Sequence, residues 1–276
     1  MRLPKANIPG ALSQRSSVCI LAIYNRVSDR WPLVIAANRD EFLDRPSLGP
    51  ARLEGHPAVT AGLDLLAGGT WLGAREDGYP LSAALLNRRQ AGADSPAPPG
   101  KYSRGALCLG ALDCGNSGLL STYLDGVEGC DYGPFFLLTA DSSGAKVLDD
   151  GGHSQELAAG VTVITNLGVD PPDCVRHAGA LPRFRALLPL LESSLELEEI
   201  VEALAVVLSD HELPADAQDQ GSLAGVCVHA GDYGTRSASI LARDERGRLY
   251  YFHADGPPCR TGFDRITPRP VQASTS

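Results

Sequence analysis

Positive charge is scarce in this chain. Among 276 residues there are 24 Lys and Arg against 33 Asp and Glu, a formal net charge of -9. No basic stripe stands out against that acidic balance, so the electrostatic footprint of a nucleic-acid binder is missing. Lysine is the scarcer cation, three residues against 21 arginines, a bias that points to a GC-rich, bacterial genome. Long apolar runs are missing too: none approaches the roughly 18 residues of a membrane span, because Glu, Arg or Pro breaks each helical stretch. The seven cysteines lack every paired motif, with no C-x-x-C, no C-x-x-C-H and no Cys-Pro. Their odd number, irregular spacing and lack of a preceding signal-peptide pattern predict reduced thiols in a cytoplasmic protein. The nearest approach to a metal set is Cys174-x-x-His177 with Cys227-x-His229. These fragments read more simply as core cysteines and surface histidines, so no metal site is expected.

What is present is the composition of a soluble globular protein, 43% hydrophobic and 21% charged, with enough apolar residues for a sizeable core. Residues 1–17 carry Arg2, Lys5 and Arg15 but no acid, and Pro4 and Pro9 would break any targeting helix. They read as a disordered extension or a mis-called start. Residues 18–264 read as one domain, and the tail "RITPRPVQASTS", residues 265–276, as disordered.

Within the domain, "VCILAIYN" and "LVIAAN" read as strands joined by the turn "RVSDRWP". A loop through Arg45-Pro46 leads to a hairpin over residues 67–87, turning at Glu76-Asp77-Gly78. Helices follow near 104–112 and 118–127, then a second hairpin over 133–150 and the strand "GVTVIT". Helices near 175–191 and 197–208 come next, the latter with Leu197, Ile200, Val201, Leu204 and Leu208 at helical spacing. "LAGVCVH", "RSASILAR" and "RLYYFHA" close the chain as strands. Strands apolar on consecutive positions are covered on both faces. With hairpins and helix pairs interleaved, the expected fold is α+β, a four-layer αββα sandwich of two mainly antiparallel sheets. No internal repeat is visible.

Polar residues unexplained by turns sit at the ends of these strands. Asn38-Arg39-Asp40-Glu41 ends the second, Asn87 the fourth and Asn166 "GVTVIT"; Arg236 opens "RSASIL", and Cys19 stands at the start of the first. As single residues each has a plain reading: Cys19 as a small hydrophobe, Arg39 paired with Asp40, Glu41 or Asp44, Asn87 and Asn166 as turn caps. Gly68, Gly69 and Gly234 read as turn glycines with positive φ.

Together the segments "VCILAIYN", "LVIAANRDEFLDRP", "GLDLLAGGTWLGA", "ALLN", "YSRG", "FFLL" and "YGTRSASILA" resemble, in order, the motifs of the NRDE family, also called the transport and Golgi organisation 2 family. The resemblance spans roughly residues 18 to 250 and implies an N-terminal-nucleophile (Ntn) hydrolase-like fold. In the cysteine branch of that fold, typified by penicillin V acylase and bile-salt hydrolase, the first residue of the mature chain is the nucleophile. The resemblance then implies Cys19, Arg39, Asp40, Asn87, Asn166 and Arg236 as the site of an amidohydrolase acting on a small non-peptide amide. For the eukaryotic relatives it implies instead a non-enzymatic role in haem or lipid-metabolite trafficking, with haem as the ligand.

The chemistry is self-consistent. Arg39 and Arg236 beside Cys19 would lower a thiol pKa from about 8.5, a free α-amine near 7.7–8.0 is a suitable base, and Asn87 can donate to an oxyanion. Asp40 would hold the amine or orient an arginine. The amine is an amide while Met1 to Val18 remain attached. Val18 directly precedes Cys19, and a GTG codon there would serve as a bacterial start, read as Met and then removed.

Overall fold

The computed structural model describes residues 19–89 and 100–267. The expected N-terminal extension, most of the expected C-terminal tail and most of the Pro- and Ala-rich loop after Asn87 lie outside those residues.

Two antiparallel sheets carry the structure. The first takes strands β1 (Ile20–Asn25), β2 (Leu33–Phe42), β10 (Gly160–Thr165), β11 (Gly168–Val169), β13 (Tyr233–Arg243), β14 (Leu249–Ala254) and β15 (Asp264–Ile266) in the order β11-β10-β1-β2-β13-β14-β15, with β12 (His229–Ala230) pairing β13. The second is a meander of β3 (Ser47–Leu53), β4 (His56–Asp64), β5 (Leu72–Arg75), β6 (Leu81–Asn87), β7 (Phe135–Asp141), β8 (Gly144–Asp149) and β9 (Ser154–Leu157).

Alternation along the strands separates three cores. Leu21, Ile23, Ile35 and Leu241 meet Leu72, Ala84, Leu86 and Leu138 between the sheets. Ile20, Ala22, Val34 and Ile240 pack outward against α3 (Val175–Arg185), α4 (Leu188–Ser193) and α5 (Leu197–Leu208). Val59, Leu81, Phe135 and Leu137 pack on the other side against α1 (Arg104–Asp113) and α2 (Ser117–Asp125). The result is the four-layer αββα arrangement expected from doubly apolar strands.

One end of the inter-sheet core is closed by Arg243. Its guanidinium donates to Ser82 Oγ at 3.0 Å and to the carbonyls of Arg75 and Leu81 at 2.7 and 2.8 Å. The other end, where Cys19 enters β1, opens to a cavity.

Several boundaries differ from expectation. β2 does not end at Asn38 but runs to Phe42, paired with β13 almost throughout. All three of Asn38, Arg39 and Asp40 are buried there; only Arg39 turns its side chain to the open end of the inter-sheet core, and burial is tolerated because each finds partners. A β3–β4 hairpin occupies the segment read as a loop. Gly49-Pro50 disguised it, but β3 is an edge strand, and the pairing is irregular between Leu48 and Ala51, where a proline is accommodated. The short strands β9 and β11 were not anticipated either. The helix expected over 175–191 is two: Pro189, in the first turn of α4, has no N–H to donate to the carbonyl of Arg185, where α3 ends. "LAGVCVH" is mostly irregular after a 3-10 stretch over Ala215–Ala224. Its backbone groups are satisfied outside a regular ladder: Asn38 and Arg176 donate to the Val226 carbonyl, Val228 N–H donates to the Thr235 hydroxyl, and Cys227 N–H donates to the Asp210 carbonyl. Finally, β15 pairs with β14, so ordered structure extends past residue 264.

Candidate active site

Four strands of the first sheet lay a row of polar side chains across the open end of the inter-sheet core. Ile20 faces Thr165 on β10 and Asn38 on β2, so the register continued by one residue sets Cys19 between Asn166 and Arg39. Arg39 in turn faces Ser237 on β13. The β13–β14 register, continued likewise, brings Asp255 opposite Ser237. Opposite residues of adjacent strands share a face, and this face looks at the second sheet.

The space between holds a cavity of about 420 Å³. Cys19, Arg39, Asp40 and Asn87 line it, along with Asp64, Trp71, Arg104 and His253. Asn166 is buried beside Cys19 and is not part of the cavity wall. Arg236 is not on the wall either. It sits at the β-bulge of β13 and reaches the site only through Asp255, to which its Nη1 donates at 2.9 Å.

Arg39 is held by a carboxylate that sequence reasoning did not single out. Its Nη2 donates to Asp64 Oδ2 at 2.9 Å, while Nη1 is buried without a hydrogen-bond partner among the described residues. Arg45 shares the same carboxylate at 2.7 Å. Burial alone would raise the Asp64 pKa, but the Arg45 hydrogen bond and the Ala67 amide outweigh it and hold it below the usual range. An unsatisfied guanidinium donor inside a cavity is a binding feature for an acceptor on a ligand.

Asp40 faces the other way. Its carboxylate points to the helical layer, where Arg176 of α3 approaches at 2.7 Å and the Thr235 hydroxyl donates at 2.6 Å. Only its carbonyl turns toward the thiol, with Cys19 Sγ 3.8 Å away. Arg176, 3% exposed, also donates to the carbonyls of Gly225 and Val226, each at 2.9 Å. Asn38 donates to the Leu208 and Val226 carbonyls at 2.9 Å. The alternating charges of "NRDE" therefore serve two layers: Asn38 and Asp40 lock the helices to the sheet, and Arg39 faces the cavity.

The second sheet supplies Asn87 at the end of β6, whose side chain makes no hydrogen bond among the described residues. It also positions Arg104. Gly69, at φ +80°, and Gly105 approach so closely that a Cβ on Gly69 would lie 2.1 Å from the Gly105 carbonyl carbon. Ser103 donates to the Gly68 carbonyl and caps α1, and Thr70 N–H donates to Gly105. This seam between "AGGTW" and "YSRG" sets Arg104 on the cavity wall, where its Nη1 donates to the Pro134 carbonyl at 3.0 Å. Burial and the nearby Arg45 lower the Arg104 pKa, with Glu41 and Cys19 acting in the opposite sense. The positive φ expected at Gly68 and Gly69 is present, but not at Gly234, whose lack of a side chain instead admits the Val228 carbonyl, 2.5 Å from where a Cβ would be.

His253 is the one cavity histidine. Its Nδ1 lies 3.0 Å from Ser239 Oγ, and burial pushes its pKa down to about 4. The fragments Cys174-x-x-His177 and Cys227-x-His229 do not meet. Cys174 caps α3 and His177 pairs with Asp170, whereas Cys227 and His229 lie beside His211 and Cys259.

Residues 18–255 match the model of the family described as Transport and Golgi organisation 2, a match beginning one residue before Cys19. The chain is 31% identical over 245 residues to the bovine (Bos taurus) Transport and Golgi organization protein 2 homolog, and 30% identical over 255 residues to the human one. Each alignment covers 80% of this chain and 85% of the relative. Among solved structures it resembles the Caenorhabditis elegans ortholog of N-acylethanolamine-hydrolyzing acid amidase, with TM-score 0.52 and 13% identity over 81% of this chain and 92% of that one. It also resembles a variant of conjugated bile acid hydrolase from Clostridium perfringens, with TM-score 0.51 and 12% identity over 93% and 99%. At such identities the likeness is one of fold, the Ntn-hydrolase fold.

Proposed function

Because the chain belongs to the transport and Golgi organisation 2 family and folds as an Ntn hydrolase, we propose that it is a cysteine amidohydrolase acting on a small non-peptide amide, with Cys19 as nucleophile. The observation that carries the reading is the placement of Cys19 at the edge of a 420 Å³ cavity, beside Arg39 and with Arg104 and Asn87 lining the same cavity from the second-sheet side. Two solved structures of this fold bear the names of hydrolases, an N-acylethanolamine-hydrolyzing acid amidase and a conjugated bile acid hydrolase.

In this mechanism the free α-amine of Cys19 takes the thiol proton, and guanidinium charge on Arg39 and Arg104 favours the thiolate. The thiolate attacks the amide carbonyl, and the Asn87 side-chain amide donates to the oxygen as it gains charge. The C–N bond breaks, the proton passes from the ammonium of Cys19 to the leaving amine, and a thioester remains. Water, deprotonated by the same amine, attacks the thioester, releasing the acid and restoring the thiol. The buried Nη1 of Arg39 offers its hydrogen bond to a polar group of the substrate. Asp40, held by Arg176, is a positioning residue in this scheme: it fixes the β2 backbone on which Arg39 rides.

The scheme requires a mature chain that starts at Cys19. The test compares the full-length chain with a chain initiated as Met-Cys19, each incubated with a panel of acyl amides. The expected result is amine release and an acyl adduct on Cys19 from the shorter chain alone, abolished in Cys19→Ala. Absence of both adduct and turnover in a Cys19-initiated chain overturns the proposal.

A further inference from the structure

Away from the cavity, four side chains from separate segments converge. They are His211, in the loop after α5; Cys227, after the 3-10 stretch; His229 on β12; and Cys259, in the loop between β14 and β15. One nitrogen or sulfur from each lies within 4.8 Å of all the others. Cys227 Sγ is 3.8 Å from Cys259 Sγ, and His229 Nε2 is 3.2 Å from Cys259 Sγ. The His211 and His229 rings are 5.0 Å apart, centroid to centroid. We propose that these four residues bind one zinc ion as a closed, structural Cys2His2 site.

The spacing suits the ion. Zn–S bonds of about 2.3 Å at tetrahedral angles place two thiolate sulfurs about 3.8 Å apart, which is the separation found. Two thiols and two imidazoles in tetrahedral array are a donor set of structural zinc sites. The orientation of His211 fits as well. Its Nδ1 lies 2.9 Å from the Cys227 carbonyl, which can only accept, so the hydrogen is on Nδ1 and the lone pair on Nε2. Metal-bound histidines carry this kind of outer hydrogen bond. Binding displaces the two thiol protons to solvent, leaving two thiolates and two neutral imidazoles around Zn²⁺. With four protein ligands no position remains for water or substrate, so the ion serves structure and not chemistry.

The location gives that structural role a purpose. Cys227 lies between Val226, whose carbonyl accepts from Asn38 and Arg176, and Val228, whose N–H donates to the same Thr235 hydroxyl that bonds Asp40. A clamp on Cys227 therefore fixes the irregular segment against which the buried Asp40–Arg176 pair rests, and it ties the loop after β14 to the end of α5. The inference does not depend on any hydrolytic activity.

The test uses the full-length protein expressed with zinc in the medium and purified under reductant. Elemental analysis is expected to find one zinc per chain, retained through gel filtration. Replacement by cobalt is expected to give the thiolate-to-metal charge-transfer band and intense visible bands of tetrahedral Co²⁺. His211→Asn and Cys259→Ser, each at the site's periphery, lose the metal and its visible spectrum. Cys130→Ser, which removes an exposed cysteine outside the cluster, keeps both. Chelation of the wild type lowers its Tm, and zinc restores it, while the Tm of the Cys259→Ser protein does not respond to either treatment. Zinc-free protein that fails to bind added zinc or cobalt overturns the proposal, as does metal retained in both ligand variants. So does a Cys227–Cys259 disulfide in the freshly purified, zinc-supplemented protein.

Discussion

Replacing Arg176 with methionine removes the counter-charge of a carboxylate that is wholly buried, and the structure sets the size of the effect. Asp40 is 0% and Arg176 3% exposed, and they meet at 2.7 Å. Breaking a buried pair from one side costs about 3–5 kcal/mol, because the remaining charge is stranded. The Gly225 carbonyl also loses its Arg176 donor, whereas the Val226 carbonyl keeps Asn38. A loss of about 4 kcal/mol is expected at neutral pH, a large part of the 5–15 kcal/mol that stabilises a typical domain. The pH dependence carries a definite sign. Burial already pushes the Asp40 carboxyl upward, against the pull of Arg176 and the Thr235 hydroxyl, and without Arg176 the rise is greater. A carboxyl whose folded pKa exceeds its unfolded value contributes stability that is present below the unfolded pKa and lost as pH rises through the folded one. The deficit of Arg176→Met relative to wild type is therefore larger at pH 7.5 than at pH 5. Urea unfolding at the two pH values measures it. A second variant, Asp40→Asn with Arg176→Met, is expected to recover at least 1 kcal/mol of the sum of the single losses, which measures the pair's coupling. A single-variant loss below about 1 kcal/mol at pH 7.5, or one that does not change with pH, would refute the reasoning.

Three further outcomes follow from the cavity. At pH 6 an ordinary thiol is only about 0.3% thiolate, so brief iodoacetamide treatment of the Cys19-initiated chain should label Cys19 and leave the exposed Cys130 largely unmodified. Peptide mapping reads this, and equal labelling of the two would remove the case for an activated nucleophile. Asn87→Ala should lower kcat by about 10²–10³, the loss typical of one oxyanion donor, with circular dichroism unchanged; undiminished turnover assigns Asn87 to packing. His253, held near pKa 4, binds fewer protons folded than unfolded between about pH 4 and 6.5, so its contribution to stability is lost as pH falls through that window. Since 1 pKa unit corresponds to about 1.36 kcal/mol, the loss is at most about 3.4 kcal/mol, and His253→Gln should flatten the acid limb of the stability curve by up to that amount in urea titrations.

Much of this was written in local pattern. Doubly apolar strands and an interleaved order of hairpins and helix pairs specify two covered sheets, because a strand with no polar face has to be buried on both. The periodicity of Leu197, Ile200, Val201, Leu204 and Leu208 fixes α5 to the residue. The ordered motifs identified the family, and Cys19, Arg39, Asp40 and Asn87 do line one cavity. What the sequence left open depends on partners far along the chain. Nothing near Asp40 announces that Arg176 neutralises it, nor does anything near Arg39 point to Asp64, and the choice between a solvated "NRDE" turn and a buried strand rests on those contacts. Local reading assumed that charge ends a strand, whereas tertiary pairing lets β2 carry its charges through to Phe42. The convergence of His211 and Cys259 on Cys227 and His229 has the same origin. Their separations in sequence match no short zinc motif, and only the folded chain brings β12, the loop after β14 and the loop after α5 close enough to set the four donors within 4.8 Å of one another. Burial periodicity is a property of neighbouring residues and can be read from them. Charge compensation and metal geometry are properties of distant ones, and only the folded chain brings those together.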